Sequence, residues 1–237
     1  MKILISATYF HPYSSGLSVY ALRVARGLAA RGHEVRVLTS RYDDKLASEE
    51  VLDGVRIHRV DVGMRLSKGV IMPGLWKQAK KLVAWADAVN VHLPQFESFV
   101  IARLAKRFNK PLVVTYHCDL VMSGGWFDRL AGWGTTLLGK SALNNAAVII
   151  QNTLDYAQHS RTLQPYLDKV VEVPTPVVMC PSTRGERLAF RERFGLAEGD
   201  KVIGLAGRVA SEKGYEYLAQ ALPAVWDRFP SARVVHA

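Results

Sequence analysis

The amino-acid sequence predicts an α/β protein built on a doubly wound parallel sheet, and three features carry that expectation. Short apolar runs recur along the chain, helix-length patterns separate most of them, and several runs are apolar at consecutive positions. Strands buried on both faces read this way, and parallel strands need crossover connections that are usually helical.

The first run, Lys2 to Ala7, is followed by a turn-rich stretch, Tyr9 to Gly16, and a helical pattern from Ser18 that stops at Gly32. Val19, Leu22, Ala25 and Leu28 recur at spacing three to four and are the expected buried stripe of that helix. Val35 to Leu38 completes a βαβ unit. Further strands are expected at Val55 to Val60 after the Asp53-Gly54 turn, and at Ala88 to Leu93, Pro111 to Tyr116, Ala146 to Ile150 and Val170 to Val173. Helices are expected over Ser98 to Phe108 and Phe127 to Asn144.

The pattern lapses at Pro174-Thr175-Pro176 and Pro181-Ser182-Thr183, then restarts. The expected organisation is one domain over 1–178, a linker with a charged helix over 179–200, and the opening of a second, incomplete domain over 201–237. In that last part Lys201 to Ala206 and Arg233 to His236 read as strands, and Leu218, Leu222, Val225 and Phe229 share one helix face. Pro223 predicts a kink or a new first turn there. Two strands and a helix cannot cover both faces of a sheet, so this portion is expected to be weakly stable alone.

With 49% hydrophobic and 22% charged residues the chain can bury a core, which excludes a disordered protein. Two cysteines, Cys118 and Cys180, make neither a disulfide framework nor a zinc site, so a reducing compartment, the cytoplasm, is expected. No apolar run reaches the length of a signal peptide core or a membrane span. A net charge of +10 implies an anionic partner. The basic residues are spread along the chain without a zinc-finger, RNP or basic-zipper pattern, which argues against nucleic acid.

Four constellations could carry chemistry. Gly207-Arg208-Val209-Ala210-Ser211-Glu212-Lys213-Gly214 lies between a strand and a helix. It reads either as a solvated, capped loop or as a diphosphate cradle made of helix-start N–H groups, the Arg208 fork and the Lys213 point charge. It is not a Walker A loop, and the Tyr9 to Gly16 loop does not spell G-x-G-x-x-G, which disfavours a nicotinamide-binding domain. Gly16 either opens the helix to a ligand, with Tyr9 at the other end of the loop, or makes a plain turn. His117 and Asp119 sit at the carboxyl end of a strand, where open α/β sheets bind ligands, with His92 at the end of the preceding strand. Each of these histidines reads as a site residue or as a structural one. Arg65 to Lys81 mixes Lys68, Lys77, Lys80 and Lys81 with Ile71, Met72, Leu75 and Trp76, as an ordinary surface helix or as a segment lying on anionic headgroups. Trp126, Phe127 and Trp133 after Gly124-Gly125 read as a lid or as core.

The G-R-x-x-x-E-K-G string, placed after a start that reads Lys2-Ile3-Leu4-Ile5-Ser6, Ser15-Gly16 and Arg31-Gly32-His33-Glu34-Val35, resembles the retaining glycosyltransferases of the GT-B fold, family 4. The resemblance covers essentially the whole chain. It implies two Rossmann-like domains across a cleft, the first taking the acceptor and the second a UDP- or GDP-sugar. Arg208 and Lys213 match positions that grip the donor diphosphate, and Gly16 matches the second glycine of a Gly-Gly loop that departs from the pattern at Ser15. His117 matches a cleft histidine that contacts the donor sugar or the transferring group. Asp119 resembles the aspartate of an H-x-D variant, orienting His117 or binding an acceptor hydroxyl. No cofactor and no metal are implied. The sequence does not identify the acceptor; a glycan or lipid-linked hydroxyl, used at the inner face of a membrane, is the expectation that fits a basic cytoplasmic protein. The family's paired glutamates would fall after Ala237, so the isolated chain is expected to be inactive or nearly so. An epimerase or phosphorylase of the same fold, and a non-catalytic or split partner, remain as alternatives.

Overall fold

A computed structural model describes residues 1–66, 69–120, 126–207, 209–210 and 213–236; for 66, 126–133, 135 and 136 it describes the backbone alone. The chain divides into two compact units, Met1–Val177 and Val178–Ala237.

The first unit runs β1 (Lys2–Ser6), α1 (Gly16–Ala30), β2 (Glu34–Arg41), β3 (Glu49–Leu52), β4 (Val55–Asp61), β5 (Met64–Leu66), β6 (Gly69–Ile71), α2 (Leu75–Trp85), β7 (Ala88–Leu93), α3 (Ser98–Arg107), β8 (Leu112–Tyr116), α4 (Trp126–Asn145), β9 (Val148–Gln151), α5 (Leu154–His159), a 3-10 turn (Gln164–Lys169) and β10 (Val170–Glu172). Eight strands form one sheet in the order β10-β9-β8-β7-β1-β2-β4-β3. All neighbours are parallel except β3 and β4. Strand order reverses between β1 and β7, which makes the carboxyl ends of those strands the expected ligand crevice.

Both faces of the sheet are covered, as consecutive apolar residues require. Leu4 and Ile5 are each fully buried, yet Leu4 packs in one core with α2, α3 and α4, while Ile5 packs in the other with α1. The buried stripe of α1 keeps Leu22, Ala25 and Leu28 of the expected one and loses Val19. Ser18, Ala21 and Ala25 face the sheet, with Leu28 packed beside them, and Val19 is exposed. Small residues let this helix lie close to the strands, and Ser18 is spent on capping rather than on packing.

Three elements went beyond the sequence expectation. β3 pairs with β4 through a hairpin in which Asp53 and Gly54 both have positive φ, 49° and 79°, the geometry of a two-residue primed turn. The Arg65 to Lys81 segment is not one interfacial helix. It divides into the β5–β6 hairpin and α2, and Met72 and Leu75 are buried at 6% exposure in the sheet core, leaving Trp76 at 45% as the exposed apolar side chain there. Lys68 lies outside the described residues, as do Gly124, Gly125 and the side chains of Trp126, Phe127 and Trp133.

The second unit contains α6 (Arg184–Arg193), β11 (Lys201–Leu205), α7 (Tyr215–Arg228) and β12 (Ala232–His236), with β11 and β12 parallel. Thr183 and Glu186 form a capping box at the start of α6. α7 is a single helix through Pro223, so no new first turn begins there. The lost N–H of one proline falls late in a helix whose Leu218, Leu222 and Val225 still form one half-buried face.

Candidate functional site

Strand β1 delivers its chain to the crevice in a fixed path. The Thr8 carbonyl accepts hydrogen bonds from Ser40 N at 3.1 Å, Ser40 Oγ at 2.6 Å and Thr39 Oγ1 at 3.2 Å. Beyond it Tyr9 stacks on Tyr13 at 4.6 Å between centroids, and Tyr42 meets both rings edge-on. Burial raises the Tyr9 hydroxyl above its ordinary pKa, with Arg65 opposing.

The loop ends in the N-terminus of α1. Ser15 is its N-cap: its hydroxyl accepts from Ser18 N at 3.2 Å, and Ser18 Oγ accepts from Ser15 N at 2.9 Å. The Ser15 side chain therefore completes the helix end. Gly16 follows with open space where a Cβ would stand, and its φ lies outside the left-handed region, so neither backbone strain nor packing demands glycine there. What glycine supplies is clearance above the first helical N–H groups, which no intrahelical acceptor uses.

On the same side of the sheet, β7 and β8 carry polar residues where a central parallel strand is normally apolar. Asn90 Nδ2 donates to Thr115 Oγ1 at 3.0 Å, and one residue pair further on, His92 Nδ1 lies 3.0 Å from His117 Nε2. His92 is fully buried and His117 partly exposed. Tyr20, from the second turn of α1, meets His117 edge-on at 4.9 Å and His92 at 5.8 Å. Burial depresses both imidazoles, His92 to about 3 with His117 adding to the effect, and His117 to about 4. Both rings are neutral at physiological pH.

Asp119 does not orient His117. Its Oδ1 accepts from Tyr116 OH at 2.6 Å and from Ser160 Oγ at 3.0 Å, and its backbone N–H donates to Tyr156 OH at 2.7 Å. The aspartate therefore ties the chain after β8 to α5, while His92 holds His117. On the opposite face, Ser6 bonds Gln95 and Thr8 Oγ1 donates to Glu97 Oε2 at 3.1 Å. Glu97 is 3% exposed, and burial lifts its carboxyl to about 7 against hydrogen bonds from Thr8 and Gln95.

The structure thus brings His92, His117, Gly16 and Tyr9 to one end of the sheet. Tyr20 and Glu97 were missed by sequence reasoning. Tyr20 sits in an amphipathic helix with no motif around it, whereas Glu97 lies between two apolar runs and could have been found as a charged residue just past a strand end. In the second unit, Lys213 is exposed and Gly214, in the left-handed region at φ 67°, caps α7. Gly207, at φ 140°, presents its carbonyl to Tyr215 OH at 2.9 Å and His236 Nε2 at 2.6 Å, which pins the start of the loop. Arg208 lies outside the described residues.

Comparison with known proteins addresses the fold and the family. The D-inositol 3-phosphate glycosyltransferase of Xylanimonas cellulosilytica is 29% identical over 88% of this chain and 55% of its own length, so the chain spans about half of that relative. Sucrose-phosphate synthase from Thermosynechococcus elongatus superposes with a TM-score of 0.68 at 18% identity, over 99% of this chain and 61% of that one. Anabaena HepE, solved in complex with UDP-glucose, superposes with a TM-score of 0.66 at 16% identity, over 100% of this chain and 60% of that one. These likenesses show the shared fold of GT-B glycosyltransferases. The family model of the glycosyl transferase 4-like domain matches residues 15–176, and the chain belongs to that family.

Proposed function

We propose that the protein transfers a sugar from a UDP- or GDP-sugar to an acceptor hydroxyl with retention of anomeric configuration, and that the first unit carries the acceptor side of the reaction. The observation that carries the reading is the neutral His92–His117 pair at the end of β8, beside a helix N-terminus kept open by Gly16. A neutral imidazole can hydrogen-bond the donor sugar without adding charge, and helix-start N–H groups can meet a developing diphosphate anion. In the second unit, Arg208 and Lys213 are the donor-diphosphate contacts that the family resemblance implies, and the reading calls for no metal cofactor. UDP-glucose bound to HepE makes a uridine donor the first to try.

Asp119 acts as a brace of the crevice wall, since its carboxylate is already shared by Tyr116 and Ser160. A glycan or lipid-linked acceptor fits a protein with net charge +10 whose α2 shows Trp76 with Lys77, Lys80 and Lys81 around an open apolar groove, a surface suited to anionic headgroups. Among the described residues no helix is long and apolar enough to cross a membrane. The 237 residues by themselves are expected to be inactive or nearly so. The test is transfer of labelled glucose or mannose from UDP- and GDP-linked donors by a protein that includes a complete donor domain, run beside the same protein with His117→Ala. Transfer lowered by roughly 10²-fold in the variant supports the reading; transfer undiminished in His117→Ala removes this site from the reaction.

A further inference from the structure

The two histidines are arranged end to end. Their facing nitrogens are 3.0 Å apart while their ring centroids are 5.2 Å apart and their planes differ by only 26°, so one ring donates to the other nearly in plane. With both rings neutral, a single proton lies between His92 Nδ1 and His117 Nε2, and two arrangements are open. If His117 donates, His92 must carry its own proton on Nε2. That atom is buried and has no hydrogen-bond partner among the described residues. If His92 donates, Nε2 is a bare acceptor and His117 carries its proton on Nδ1. Orphaned buried N–H groups are rarer in folded proteins than under-used acceptors, which selects the second arrangement.

We propose that His92 is a positioning residue that fixes His117 in the Nδ1–H tautomer, so that His117 meets a ligand at the strand ends as a hydrogen-bond donor. The inference deepens the proposed function and rests on His117 being the residue that faces the sugar, but the tautomer itself is a property of the free protein. The geometry suits the task. His92 is immobilised at full burial in the middle of the sheet, Tyr20 braces both rings, and the Nδ1 of His117 has no partner among the described residues. The arrangement excludes a general-base role for His117 through Nδ1, because the lone pair there is occupied by the proton.

Histidine-selective 15N labelling and long-range 1H–15N spectra of the free chain near neutral pH distinguish protonated from bare ring nitrogens. The expected spectrum has Nδ1 protonated and Nε2 bare in both His92 and His117. His92→Asn, whose side-chain amide places an N–H near the position of Nδ1, keeps the His117 tautomer. His92→Phe, which fills the space without a donor, releases His117 to a population carrying the proton on Nε2. A proton on Nε2 of His117 in the unsubstituted chain overturns the proposal, as does a tautomer unchanged in His92→Phe. If His92→Phe does not fold, the unsubstituted spectrum decides alone. No substrate is present, so failure of sugar transfer and failure of the tautomer assignment are read separately.

Discussion

Glu97 and the histidine pair bind protons in opposite senses, and together they shape the pH dependence of the first unit. Glu97 has a folded pKa of about 7 against an ordinary 4.5, so the fold holds a proton that the unfolded chain releases. Its contribution to stability is present below about 4.5 and is lost as pH rises through about 7. His92 and His117 are depressed from 6.5 to about 3 and about 4, so their contribution is present above 6.5 and is lost as pH falls through those values. Glu97→Gln removes the first effect and leaves the second. The variant should therefore gain stability more steeply between pH 5 and 7 than the parent, by roughly 2 kcal/mol over the interval for a shift of this size. Urea unfolding at a series of pH values checks this, and parallel profiles would mean that Glu97 is already ionised in the fold. The sequence made His117 and Asp119 visible because strand-end polar residues stand out against apolar runs. The division of labour between them was not legible, because it depends on Tyr116, Ser160 and His92, which only the sheet register and the α5 region bring together.

At the scale of single elements, the start of α1 shows how a local rule and a ligand rule share a loop. Ser15 departs from the glycine implied by the family resemblance, and the structure gives it a reciprocal bond with Ser18. Ser15→Ala should cost about 1 kcal/mol and Ser15→Gly only a few tenths, measured by urea unfolding. Equal losses in the two variants would mean that the cap is not formed. The helix itself was visible from its periodicity, and Leu22, Ala25 and Leu28 pack inward as expected, while Val19 was taken for Ser18 because it is the more apolar of the two. β3 was missed although the Asp53-Gly54 pair marks a hairpin, because its Glu49 and Glu50 resemble a solvated edge rather than a strand. α2 yields a further prediction. Vesicles containing anionic lipid should bind the protein at low salt and release it at high salt, and Lys77→Glu with Lys80→Glu should weaken binding without unfolding the protein, since both lysines are exposed. Binding unchanged in the double variant would place the membrane-facing surface elsewhere.

For the molecule as a whole, the doubly wound sheet was legible because its strands are apolar on both faces and alternate with helices. The two units differ in self-sufficiency. The first has a buried core on each side of its sheet, while in the second the buried apolar side chains among the described residues are Ala232 and Val235. Limited proteolysis should cut near Val177, Val178 and Met179, which are 65%, 65% and 82% exposed, and leave a resistant fragment close to residues 1–177. Rapid digestion of the first unit would contradict its independence. The central claim, that a nucleotide-sugar meets the protein at the ends of β1, β7 and β8 through a neutral His117, is tested most directly by titrating UDP-glucose into the 15N-histidine-labelled chain. The account predicts that the His117 ring nitrogens shift with saturation while His33, which lies just before the amino end of β2, stays in place. UDP-glucose binding that leaves His117 unmoved would contradict it.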